Sequence, residues 1–181
     1  MVNKERRTKH KKIMNRNDTF FTQTAPLWPI AGTRIMIGIL WLFSLRWKLP
    51  LDFMPDSGRG LMDWLLLEVQ YPAFGFYADF VQNIIIPNFF LFAWLIFLTE
   101  LFVGLSLLTG TLTRVGAFVG LVMSFNLGIG LLEVPGEWPW SYAMMAMFHG
   151  IFLIAAPGRV FGIDKWLRDT AFQPWWVKLL T

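Results

Sequence analysis

Four polar residues interrupt otherwise apolar stretches of this chain: Arg34, Glu100, Asn126 and His149. A polar or ionisable group in hydrocarbon is costly, so each marks either a site or a structural bond. Glu100 and His149 are the residues that could take up and release protons. Arg34 could hold an anion or a carbonyl oxygen. A quinone headgroup needs this set: hydrogen-bond donors at its carbonyls and a proton path on reduction. The structural alternative is an Arg34–Glu100 ion pair that locks two helices, with His149 hydrogen-bonded to a neighbour. Asn126 reads as an interhelical hydrogen bonder. One histidine without supporting context is weak ground for a haem or chlorophyll ligand.

A second group lies at the ends of the apolar runs. Arg46, Lys48 and Arg59 fall near Glu137, Trp138, Trp140 and Tyr142 by the expected topology. Cations among aromatic rings could bind a small anion. The alternative is snorkelling and interface anchoring.

The elements that position these residues follow from composition. The chain has 181 residues, 55% hydrophobic and 15% charged. Soluble domains have roughly 45–50% and about 25%. The displacement on both counts points to an all-α integral membrane protein of one domain. Cysteine is absent, which excludes disulfides, iron–sulfur clusters, covalently attached haem and thiol catalysis. Two histidines exclude a His-rich metal site, so no metal is expected. Any electrons must travel on something exchangeable.

A bilayer core needs about 20 mostly apolar residues per helix. Four stretches meet or approach this, at about 28–49, 87–110, 112–134 and 140–157, giving a four-helix membrane domain over 27–158. The outer loop, 50–86, carries an apolar stretch with interspersed acids from Leu61 to Val69. That pattern predicts an amphipathic helix on the outer interface, and Tyr77 to Ile85 is expected to lie there too. Residues 159–181 form an inner segment with an interfacial helix from Ile163 to Ala171. Residues 1–26 are a polybasic tail.

Charge sets the expected orientation. With both termini cytoplasmic, 12 of the 16 cations lie inside, seven of them in the first 16 residues. Seven acids lie outside: Asp52, Asp56, Asp63, Glu68, Asp79, Glu133 and Glu137. The tail enforces this topology, binds anionic lipid or docks on a protein partner. Nucleic-acid binding is not expected of a membrane-tethered tail.

At a rise of ~1.5 Å per residue, Arg34, His149 and Glu100 lie ~9, ~12 and ~15 Å from the inner edge. The depths predict a polar pocket in the inner half of the bundle. Gly116 and Gly120 form a small-xxx-small pattern that permits close helix approach, the neighbour being open.

These residues carry a resemblance to the DoxX/DoxD group of small four-helix membrane proteins. Arg34 with Gly38, followed by Lys48-Leu49 and Asp52, is similar to the group's opening helix, although Leu45 stands where glycine is usual. Asn83 to Asn88, with Pro87, resembles the approach to its second helix. Glu100 and Gly104 through Gly110, Thr113 and Arg114 resemble its Glu–Gly…Gly–Thr-Arg stretch. Trp138-Pro-Trp140-Ser-Tyr142, then Pro157-Gly158-Arg159 through Gly162-Ile163-Asp164, resemble its last helix. The likeness covers about residues 28 to 170.

One branch of the group is the DoxD-type subunit of thiosulfate:quinone oxidoreductase. The resemblance therefore implies oxidation of thiosulfate to tetrathionate, with electrons entering the quinone pool. It also implies a partner subunit and the bacterial or archaeal cytoplasmic membrane. On this reading quinone is the exchangeable cofactor, Glu100 and His149 handle protons, and Arg34 orients quinone. Arg46, Lys48 and Arg59 hold the substrate anion. The alternative is a non-catalytic accessory subunit of a larger respiratory or photosynthetic complex. A small-solute transporter is disfavoured, because four spans show no paired broken helices.

Overall fold

Pro29 and the apolar run behind it open the first helix of the computed structural model, which describes residues 26–49, 53 and 60–169. Proline has no N–H to lose in a first helical turn, where that group would be unpaired anyway. Helix α1 spans Trp28–Ser44 and tightens into a 3-10 turn at Leu45–Trp47. Helix α2 is Leu61–Gln70; at its start the Gly60 N–H donates to Asp63 Oδ2 at 2.7 Å. Helix α3, Gly75–Phe80, runs through a π turn at Val81–Ile85 and a 3-10 turn at Ile86–Asn88 into α4, Phe89–Thr109. Helix α5 is Thr113–Leu131, α6 is Pro139–Ala155 and α7 is Ile163–Asp169. Among the described residues there is no strand.

Among the described residues, three helical stretches are long and apolar enough to cross a membrane: Trp28–Trp47, Gly75–Thr109 and Thr113–Leu131. Pro139–Ala155 is apolar but has 17 residues. At ~1.5 Å per residue it reaches ~26 Å, a little under the ~30 Å hydrocarbon core. Large apolar side chains such as Phe90, Leu91, Leu98, Phe125 and Ile154 are exposed along these helices. In a bilayer they are solvated by acyl chains. The chain is an integral, multi-pass membrane protein.

We call the end that holds Trp28, the Gly110 turn and Pro157–Arg159 the near side. The far side holds Lys48, α2 and the turn between α5 and α6. The polybasic tail, Asp52, Arg59 and the segment after Asp169 lie outside the described residues.

Two expectations change here. The helical path into the second span begins at Gly75 rather than near Pro87. Pro87 does not stop it, because its missing N–H falls among π and 3-10 turns that already depart from the regular ladder. Val81 and Ile85 are buried with Phe53, Leu61, Leu65, Phe89 and Ala93, so one face of this stretch packs into the protein. Helix α2 likewise does not turn all its acids to water. Leu61, Leu65 and Glu68 form its buried stripe at i, i+4 and i+7.

A second apolar cluster joins Ile37, Trp41, Val103, Leu107, Ala117 and Phe152. Glycines set its close spacing. A Cβ on Gly38 would lie 2.6 Å from the Leu108 backbone nitrogen, so α1 and α4 touch backbone to backbone. The pair Gly116 and Gly120 finds its neighbours within the chain. A Cβ at Gly116 would meet Ser106 Oγ at 2.1 Å, and one at Gly120 would meet His149 Cδ2 at 2.2 Å.

Candidate functional site

The helices enclose a cavity of ≈310 Å³ toward the far side. Ligand pockets generally measure about 300–1,000 Å³, with apolar walls and a few convergent polar groups. Ile37, Leu40 and Trp41 of α1, Trp64 and Leu65 of α2, and Met123 and Leu127 of α5 supply apolar wall. The polar groups are Ser44, Lys48, Glu68, Tyr77, Glu100, Asn126, Glu137 and Tyr142.

Lys48 and Glu100 close one end of this space. The Lys48 ammonium donates to Glu100 Oε1, and both side chains are buried. Ser44 Oγ lies 3.1 Å from Glu100 Oε2. The ammonium also sits 4.5 Å from the centroid of the Trp47 ring. The geometry follows from α1 being short. Its regular turns end at Ser44, so Lys48 reaches the middle of α4 rather than the membrane edge.

Glu68 stands on another wall. Its carboxyl packs against Gly130, where a Cβ would lie 2.7 Å from Oε1. Its Oε2 is buried and has no hydrogen-bond partner. Burial pushes this carboxyl up from 4.5 to about 7, against the pull of the neighbouring Tyr77 hydroxyl. Tyr77 donates to Asn126 Oδ1 at 3.3 Å, which makes Asn126 an interhelical partner. The Tyr142 hydroxyl donates to Glu137 Oε2.

His149 lies behind the cavity wall. Its Nδ1 is 2.6 Å from the Met145 carbonyl, and its Nε2 is 3.0 Å from Trp41 Nε1. A carbonyl only accepts and an indole N–H only donates. The ring is therefore the neutral Nδ1–H tautomer with both nitrogens occupied. His149 orients Trp41, which faces the cavity.

Arg34 is at the near side. Its Nη1 donates to the Leu107 carbonyl at 2.5 Å and its Nη2 to the Phe161 carbonyl at 3.0 Å. The same junction holds Asp164. Its two carboxylate oxygens accept the N–H groups of Leu112 and Thr113 at 2.7 and 2.9 Å, capping α5 from 51 residues away. The Asp164 N–H donates to the Gly110 carbonyl at 2.8 Å. Leu112, Ala156 and Phe161 take positive φ here, which bulky side chains disfavour. The bonds from Arg34 and Asp164 hold Phe161 and Leu112 in place.

Two expectations are corrected by this geometry. Arg34 and Glu100 do not pair; each has other partners at a different level of the bundle. Arg34, Glu100 and His149 do not share an inner pocket, since only Glu100 lines the cavity, which opens toward the far side. Of the cations expected at an anion site, Lys48 is buried in the cavity. Arg46 is exposed, 4.8 Å from the Phe43 ring centroid, and does not line it. Arg59 lies outside the described residues. Among the described residues no group of three or more His, Asp or Glu is placed to hold a metal.

The family model for DoxD, described as the small subunit of TQO, matches residues 31–180. The chain belongs to the DoxD family. No curated protein and no solved structure matches it. The match takes in both the cavity and the near-side junction of this DoxD chain. The Gly110, Thr113, Gly158, Gly162 and Asp164 positions converge on that junction, where their small size and bonds join α4, α5 and α7.

Sequence reading overlooked Glu68 and Tyr77. The available signal for Glu68 is its spacing, seven residues along from Leu61 and three from Leu65. For Tyr77 no comparable signal exists, because its partners come from α2 and α5.

Proposed function

We propose that this DoxD chain is the membrane subunit through which thiosulfate oxidation delivers electrons to quinone, and that its cavity takes the quinone headgroup. TQO is thiosulfate:quinone oxidoreductase. The observation that carries the reading is the apolar, aromatic-walled cavity closed by the buried Lys48–Glu100 pair. Its size suits a headgroup.

The residues present fit such a ligand. Flat apolar rings pack well against Trp41 and Trp64. The Ser44 hydroxyl and Lys48 ammonium supply donors for carbonyl oxygens. Bound there, a quinone accepts two electrons and two protons. Lys48 and Glu100 would set the charge around the headgroup, and Glu100 would hold a proton at its carboxylate. Trp41, fixed by His149, keeps the wall in place.

The cavity lining holds three carboxyl groups, of Glu68, Glu100 and Glu137, against one ammonium, of Lys48. That balance disfavours a dianion and favours an uncharged ligand. Thiosulfate is then oxidised outside the cavity, in contact with far-side cations such as Arg46 or on a partner subunit. The charge asymmetry of the sequence supports a near side that faces the cytoplasm.

The test is thiosulfate-dependent reduction of decylubiquinone by the complex purified with its partners, with quinone binding followed by quenching of tryptophan fluorescence. Substitutions Glu100→Gln and Lys48→Met are expected to weaken binding and turnover together. Full binding and turnover in both variants would remove the cavity from the reaction. A chain that neither binds quinone nor supports turnover, yet copurifies stably with a larger complex, is an accessory subunit.

A further inference from the structure

Glu68 is the buried acid with no assigned work. It lines the cavity, its side chain is 6% exposed, and Oε2 has no hydrogen-bond partner. The pair at the other end is self-contained, since Lys48 and Glu100 neutralise one another. The charged and titratable groups facing Glu68 are Tyr77 on α3, Tyr142 in the first turn of α6 and Glu137 just before it, with Lys48 and Glu100 across the cavity. α5 presents Gly130 and Asn126, neither of which titrates.

The Tyr77 hydroxyl decides what Glu68 can do. It owns one proton and lies between two acceptors, the Glu68 carboxyl and Asn126 Oδ1. Its bond to Asn126 uses that proton. Only a protonated Glu68 can then bond Tyr77, by donating to the phenol oxygen. If Glu68 is ionised, Tyr77 must turn to it and release Asn126. The arrangement is a two-position proton switch in the cavity wall.

We propose that Glu68 is the proton-supplying group of this cavity. It gives its proton by way of Tyr77 to a ligand reduced there, and reloads from far-side water past Glu137. This rests on the quinone reading above. Two thiosulfates joining as tetrathionate release two electrons; quinone takes these with two protons to become quinol. Glu68 supplies one proton per loading and returns from carboxylate to acid when water reprotonates it. Burial that keeps the acid protonated near neutral pH is what this role requires.

The experiment uses the full chain with its partners in lipid nanodiscs and decylubiquinone as probe. Infrared titration of the carboxyl stretch is expected to show an acid that ionises near pH 7 and is missing in Glu68→Gln. That variant should bind the probe like wild type, reduce it about a hundredfold more slowly, and lose the limb of the pH–rate profile near neutrality. Tyr77→Phe should keep the titrating band, moved to higher pH by loss of the phenol's pull, but share the slow turnover, which separates the relay from a folding defect. A Glu68→Gln variant with the wild-type rate and profile overturns the proposal, as does a band that persists in it. If wild type itself leaves the probe unbound, the quinone reading falls and the proton's destination falls with it. If wild type turns over and Glu68→Gln matches it, the quinone reading stands and the Glu68 proposal alone fails.

Discussion

The Lys48 ammonium and the Glu100 carboxylate form a buried ion pair that joins the end of α1 to the middle of α4. Removing one partner leaves an uncompensated charge in a low-dielectric interior, at about 3–5 kcal/mol. Lys48→Met and Glu100→Leu should each destabilise the protein by that amount. The double substitution should cost far less than their sum, because no charge is left stranded. Unfolding of the four proteins in one detergent measures the difference. Additive losses would show that the pair is not coupled.

Glu68 gives stability a pH dependence of a definite sign. Unfolded, its carboxyl ionises near 4.5, and folded near 7. Below the first value both states hold the proton and the favourable contribution is complete. Between the two values only the folded state holds it, so stability falls as pH rises. At ~1.4 kcal/mol per pH unit the loss sums to about 3 kcal/mol. Glu68→Gln should flatten the curve over that window. An identical slope in the variant would assign the effect to other groups.

Asp164 should be a stability determinant rather than part of the reaction. Its two bonds to the start of α5 are charge-assisted, each worth about 1.5–3 kcal/mol. Asp164→Ala should lower the unfolding temperature and speed proteolysis in the Gly110 turn, without changing quinone affinity in the folded fraction. Gly110→Ala should act in the same direction. It places a side chain at φ 69° with its Cβ 2.5 Å from Arg34 Nη1.

Gly120 and His149 should behave as a coupled pair. A methyl group at Gly120 would overlap the imidazole, and overpacking costs about 1–3 kcal/mol. Gly120→Ala should shift His149 off Trp41 and change the tryptophan emission. In a His149→Ala background the same substitution should cost much less, because the ring it strikes is gone. Equal costs in both backgrounds would mean that α5 shifts instead.

The overlooked residues explain what kind of information a sequence carries. Arg34, Glu100, Asn126 and His149 were visible because each breaks an apolar run. Glu68 was concealed because it lies in a stretch where acids are ordinary, and its burial depends on α2 folding down over α3, α4 and α5. Lys48 looked like an interface anchor because nothing in its neighbourhood shows that α1 stops its regular turns at Ser44.

Hydropathy and charge asymmetry are one-dimensional patterns. The sequence by itself therefore determined that this is a helical membrane protein, which residues break its apolar spans, and its likeness to the DoxX/DoxD group. The partner of a buried charge is different, because it depends on how each helix is rotated and how far it is offset along its neighbour. Those quantities come from contacts such as Gly38 on Leu108 and Gly104 on Leu42. Only the tertiary structure could decide that Glu100 meets Lys48, that Arg34 meets two backbone carbonyls, and that Glu68 faces the cavity.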